Sequence, residues 1–166
     1  MKPDFLANRA EVAAFLNKCG KEMFRAASGA VGHPFIDPGG PYSENLWDWD
    51  SYWASVALFN LAEENNDADL LEKVRVHARG SLLNFFDAQA EDGSLPILMS
   101  AKDNDWFDSL SNPANNMAKP VQGLFLQLLE EHEAATPDLV RELLGKIKLV
   151  SECRKKRYLH PASGLM

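Results

Sequence analysis

Trp47-Asp48-Trp49-Asp50-Ser51-Tyr52-Trp53, entered through Pro38-Gly39-Gly40-Pro41-Tyr42-Ser43-Glu44-Asn45-Leu46, gathers three of the chain's four tryptophans into seven residues. Two aspartates lie between the rings. A folding core needs apolar bulk and gains nothing from carboxylates set among indoles. A carbohydrate site uses both, because indoles pack on the C–H faces of a pyranose while carboxylates accept hydrogen bonds from its hydroxyls. Two other readings stay open: an aspartate cap over an aromatic core, or Asp48 and Asp50 as acid and base of glycoside hydrolysis. Two positions apart in one short segment, these carboxylates are poorly placed to flank a bond. The stretch continues into Tyr52, Trp53, Val56, Ala57, Leu58, Phe59 and Leu61, apolar around most of a helix. The Trp-Asp cluster is therefore expected at the N-terminus of a buried helix over residues 51–63, capped by Asp50 or Ser51.

Around that segment the chain reads as further helices. Residues 8–27 are amphipathic, with Val12, Phe15, Leu16, Cys19 and Met23 on one face and Lys18, Lys21 and Arg25 on the other. Residues 69–89 repeat the pattern with Leu71, Val74, Leu82, Phe85 and Phe86, interrupted by Gly80. A long connection over residues 90–118 holds two turn signals, Asp92-Gly93 and Asn112-Pro113. It also carries Ile97, Leu98, Met99, Trp106 and Phe107, which argue for order. Residues 120–131 are nearly all apolar, and Thr136-Pro137-Asp138 opens a last amphipathic helix on Val140, Leu143, Leu144, Ile147 and Val150. No strand pattern of comparable strength appears. The expected class is all-α, a single helical domain over residues 1–166, with amphipathic outer and all-apolar inner helices in turn. Such alternation predicts a double ring of helical hairpins rather than a four-helix bundle. In a double ring the inner helices run parallel, so both special stretches should converge on one end.

Composition narrows the partners. At 166 residues, 46% hydrophobic and 25% charged, the chain has the make-up of an ordinary globular domain. A net charge of −7 argues against nucleic acid or an anionic membrane as the main partner. Cys19 and Cys153 fit no metal spacing and read as reduced structural thiols, and His33, His77, His132 and His160 form no ligand set. No metal and no cofactor is expected. The start lacks a signal-peptide apolar region and no apolar run approaches a membrane span, so a soluble cytoplasmic chain is expected.

Pro38-Gly39-Gly40-x-Tyr42-x-Glu44 followed by Trp49-Asp50-Ser51-Tyr52-Trp53 resembles the trehalase signature. More broadly it is similar to the (α/α)6 six-hairpin glycosidases, which include glucosidase-I-like and mannosylglycerate or glucosylglycerate hydrolases. Gly93-x-Leu95-Pro96 and Lys119-Pro120-x-Gln122 resemble a second block of that group. Pro41 stands where trehalases have arginine, one extra residue separates Glu44 from Trp49, and Lys119 replaces a glutamine. These departures point away from trehalose as the substrate. The resemblance implies that Trp49 and Asp50 lie against the sugar in the innermost subsite, with Trp47 walling it. Asp48, Lys119 and Gln122 complete the expected substrate-binding set, although Lys119 reads equally well as an exposed lysine at a helix start.

A full toroid of about twelve helices needs roughly 300 residues. The resemblance places the general acid and base in later motifs, and neither motif occurs in this sequence. The expectation is the N-terminal part of an (α/α)6 glycosidase for an α-glucoside or α-mannoside, with no catalytic residue of its own. The partner is a small carbohydrate, and apolar inner helices left uncovered would promote self-association. The alternative is a catalytically inactive helical module that binds sugar or protein.

Overall fold

A computed structural model describes residues 5–102 and 109–164. Trp106 and Phe107, expected to be ordered within the long connection, lie outside the described residues. The chain is mainly helical: α1 (Phe5–Cys19), α2 (Asp48–Glu64), α3 (Ala68–Asp87), α4 (Val121–Glu131) and α5 (Pro137–Tyr158). Four short strands accompany them, β1 (Phe24–Arg25), β2 (Phe35–Ile36), β3 (Asn45–Trp47) and β4 (Leu98–Ser100). β1 pairs antiparallel with β2, and β3 with β4.

Helices α2 to α5 form two antiparallel hairpins, α2–α3 and α4–α5, laid side by side. Asp67 turns α2 into α3, its carboxylate accepting from Leu70 N at 2.9 Å. Thr136 does the same for α5, accepting from Leu139 N at 3.3 Å, and Pro137 follows in the first turn. α2 and α4 run parallel. Lys119 meets Asp48 at their N-terminal ends, the Tyr52 and Phe125 rings lie 5.7 Å apart midway, and His132 stacks on Phe59 at 4.0 Å near the C-terminal ends. α3 and α5 are parallel to each other as well. Arg75 Nε donates to His132 O at 2.8 Å where α3 begins, and Lys146 Nζ donates to Phe86 O at 3.0 Å where it ends.

α3 carries a polar seam that seats the loop before α2. Asn84, almost fully buried, accepts from His33 N at 2.8 Å and donates to His33 O at 3.1 Å. Ser81 Oγ accepts from Ile36 N at 3.0 Å. Gly80 completes the seam, since a Cβ there would stand 1.9 Å from the Pro34 carbonyl oxygen. The core beneath is built from Phe35, Ile36, Leu58, Phe59, Leu82, Phe85, Phe125 and Leu129. Asn84→Ala should cost about 2 kcal/mol, because two partly buried backbone groups of His33 lose their partner together. Urea unfolding measures this, and a cost below ~0.5 kcal/mol would mean that water replaces the amide.

Several expectations are corrected here. α1 ends at Cys19, and a 3-10 turn at Gly20–Glu22 leads into β1, so Met23 and Arg25 are not helical. Gly20 stops the helix where it packs, a Cβ there lying 2.9 Å from Leu58. On α1, Ala13 and Leu16 pack against the core while Val12 and Phe15 are exposed. α2 is not buried all round: Trp53 is 58% and Leu124 of α4 41% exposed. Seven of its 17 residues are buried, against eight of 20 in α3, so α3 is not the wetter helix of that hairpin. The reason is the loop at residues 34–36, which covers the α3 face that a simple outer helix would turn to water. The contrast does hold for the second hairpin, with six of 11 residues buried in α4 and three of 22 in α5.

Candidate functional site

The site begins with a buried carboxylate that was not legible as one. Asp37 is fully buried, ion-paired with Arg25 Nε, and accepts from Gly39 N at 2.8 Å and Glu44 N at 2.9 Å. Arg25 also donates to Ser43 Oγ at 2.6 Å. The Asp37-to-Gly39 bond is an Asx turn, for which the Asp-Pro-Gly run is a sequence signal. The pairing with Arg25, assigned from sequence to a wet helix face, had none. Through these bonds the Pro-Gly-Gly loop is folded back on itself and delivers Tyr42 edge-on to Trp47, ring centres 6.0 Å apart.

β3 then carries the chain into α2. Its register sets Asn45 against Ser100, Leu46 against Met99 and Trp47 against Leu98. Asp48 N donates to Ile97 O at 3.2 Å, and a bridge between Leu95 and Met117 passes the same alignment toward Lys119. The two motif blocks are thus neighbours in space.

α2 starts three residues earlier than expected, at Asp48, with Trp47 in the capping position and no side-chain cap. Neither Asp50 nor Ser51 caps it. Ser51 Oγ donates back to Trp47 O at 2.6 Å, and Asp48 Oδ1 accepts from Trp49 N at 2.8 Å. A carboxylate in the first turn is favoured by the helix dipole. Lys119 Nζ lies 2.7 Å from Asp48 Oδ2 and 3.0 Å from Oδ1, so the lysine is a half-buried partner of Asp48 and not a free helix-start lysine. Burial nevertheless pushes the Asp48 carboxyl above its ordinary range, outweighing the ammonium and aided by Asp50.

Trp49 is half-buried, its ring edge-on to Tyr52 at 6.3 Å, while Asp50 is exposed. Gln122 is 2% exposed, and its Oε1 has no hydrogen-bond partner among the described residues. With Lys119 it lines a groove of about 190 Å3 against Ile147, Ser151 and Arg154 of α5, which none of Trp47, Trp49 or Asp50 lines. The fold therefore brings Trp47, Asp48, Trp49, Asp50 and Lys119 to one end of the α2–α4 pair and sets Gln122 on its α5 side.

Among the described residues no group of three or more His, Cys, Asp or Glu side chains is arranged to hold a metal ion, and no helix is long and apolar enough to cross a membrane. Both cysteines are free thiols, Cys153 being buried in α5. No family model, no curated protein and no solved structure matches this chain.

Proposed function

We propose that residues 47–50 form one wall of a hexose subsite and that the chain is the N-terminal arc of an (α/α)6 glycosidase-like toroid. One observation carries the reading. The two blocks that resemble that group, well separated in sequence, meet through β3–β4 pairing and the Asp48–Lys119 ion pair, 71 positions apart, at the N-terminal ends of two parallel helices. That is where an inner-helix ring would gather its ligand-binding residues. Two parallel hairpins are the repeating unit such a ring requires; the burial contrast supports it in the α4–α5 hairpin alone. Trp47 and Trp49 supply stacking surfaces and Asp50 an exposed acceptor for sugar hydroxyls. Asp48 is committed to Lys119, which leaves no opposed carboxylate pair across this end among the described residues for acid and base work.

Half a pocket stacks on one sugar face without enclosing it. Affinity for glucose or mannose should therefore be millimolar at best, about −4 kcal/mol, without turnover of an α-glucoside. Tryptophan fluorescence or NMR titration tests this. Shifts confined to residues 47–50 that vanish in Trp49→Ala are the expected result. A folded sample in which this segment ignores every hexose would overturn the sugar reading, and turnover abolished by Asp50→Asn would overturn its non-catalytic part.

A further inference from the structure

α1 turns to solvent the residues that a simple surface helix would bury. Phe15 is 62% and Val12 58% exposed, while Ala13 and Leu16 pack against the core. The helix rests on the C-terminal half of α2, where Arg9 pairs with Glu64 and Gly20 meets Leu58. Its outer face is built on a pattern. Glu11, Ala14, Phe15 and Lys18 are all exposed and stand at i, i+3, i+4 and i+7, one stripe of the helix with Val12 beside it. Among the described residues neither Glu11 nor Lys18 has an ion-pair partner. Read in the opposite direction the stripe is Lys18, Phe15, Ala14 and Glu11, at the same spacing. Two copies crossed antiparallel, about a two-fold axis between Ala14 and Phe15, therefore set each Glu11 opposite Lys18 of the other copy. Each Phe15 then meets Ala14 of the other copy, whose small side chain leaves room for the ring. A parallel crossing faces glutamate with glutamate and lysine with lysine, so charge selects the antiparallel one.

We propose that α1 is a homodimerisation helix, through which two copies of this chain cross antiparallel on Glu11, Ala14, Phe15 and Lys18. The stripe shares no residue with the 47–50 segment, so the dimer is independent of sugar binding. Trp53 of α2 and Leu124 of α4 are exposed too. They offer a second copy no such fit, since α2 and α4 contain acidic residues and no lysine or arginine. One helix from each copy buries less than the ~1,200 Å2 of a standard interface, so the dimer is weak, with a dissociation constant on the order of 0.1 mM.

Sedimentation equilibrium of the 166-residue chain in reducing buffer tests this, with the mass expected to rise from monomer to dimer between ~10 µM and ~1 mM. Phe15→Ser should weaken association by about tenfold or more. Its unfolding midpoint at low concentration should stay in place, because the ring is exposed in the single chain. Glu11→Lys and Lys18→Glu each turn two attractions per dimer into two repulsions and should weaken it about tenfold. The chain carrying both reversals, or an equimolar mixture of the two single variants, should recover the parental association to within about threefold. Single reversals that change nothing would overturn the antiparallel crossing. A dimer that Phe15→Ser leaves intact and Trp53→Ser abolishes would put the contact on α2 and overturn the proposal. So would a chain that stays monomeric at ~1 mM, which would leave the stripe to a partner other than this chain.

Discussion

Gly80→Ala will destabilise the chain by about 3 kcal/mol or more, although alanine is the better helix former. Helix propensity alone favours the change by roughly 1 kcal/mol. Against it stands a Cβ placed 1.9 Å from Pro34 O, 3.1 Å from Pro34 C and 3.2 Å from His33 Cβ. The first two are backbone atoms and cannot rotate away. The loop must lift, and it is fastened to the same helix face by the His33–Asn84 pair of bonds and by Ile36 N to Ser81 Oγ. Lifting it loosens three hydrogen bonds worth ~1 kcal/mol each and opens the core under Phe35, which is otherwise 1% exposed. Gly145 of α5 is the control. Nothing lies within 4 Å of a Cβ there, so Gly145→Ala should stabilise by roughly 0.5–1 kcal/mol. Urea midpoints for the two variants should move in opposite directions. A Gly80→Ala chain as stable as the parent would mean that residues 33–36 do not rest on α3.

The same glycine shows how far periodicity reads and where it stops. In α3 the stripe of Leu71, Val74, Leu82, Phe85 and Phe86 is visible in the sequence, and all of it is buried except Leu71, which is half-buried. Gly80 stands in that pattern only as an interruption. Its reason, the loop at His33 and Pro34 far upstream in the sequence, is a tertiary fact with no local signal. α5 is legible for a similar reason: its cap and first-turn proline are local chemistry, and the Thr136 hydroxyl does accept from Leu139 N. The strands are the opposite case. Two- and three-residue strands carry no period, and they exist because a distant segment pairs with them. The apolar circumference of α2 shows which residues could be covered and not which neighbours are there to cover them, and Trp53 stays 58% exposed. At the site, clustered tryptophans and aspartates are a sequence pattern. Asp37 with Arg25, and Asp48 with Lys119, are pairings of single charged residues across 12 and 71 positions. Only the fold selects them.

The pair at the site can be dissected through the unequal burial of its members. The Asp48 side chain is 5% exposed and that of Lys119 22%. Removing the lysine strands a carboxylate that has no route to water. Removing the carboxylate strands an ammonium on a flexible stem that still has one. Lys119→Met should therefore cost about 2–3 kcal/mol near neutral pH, and Asp48→Asn only ~1 kcal/mol, because the amide oxygen still accepts from Lys119. The pH dependence separates these causes. Burial raises the Asp48 carboxyl above its ordinary 3.8, so the folded chain holds that proton more tightly than the unfolded one. Its contribution is most favourable below 3.8 and declines as pH climbs from there through the raised value. Without Lys119 the two lowering influences of the ammonium disappear, the carboxyl shifts further up, and the window of decline widens toward neutrality. The deficit of Lys119→Met relative to the parent should thus be smallest near pH 4 and grow toward pH 7. Adding Asp48→Asn to it should flatten the profile and recover part of the loss at pH 7. Urea unfolding of the parent, both single variants and the double variant across that range gives the coupling directly. A Lys119→Met deficit that does not change with pH, or an Asp48→Asn loss larger than it, would show that Asp48 is solvated in the folded chain and that the two helix ends are joined by packing alone.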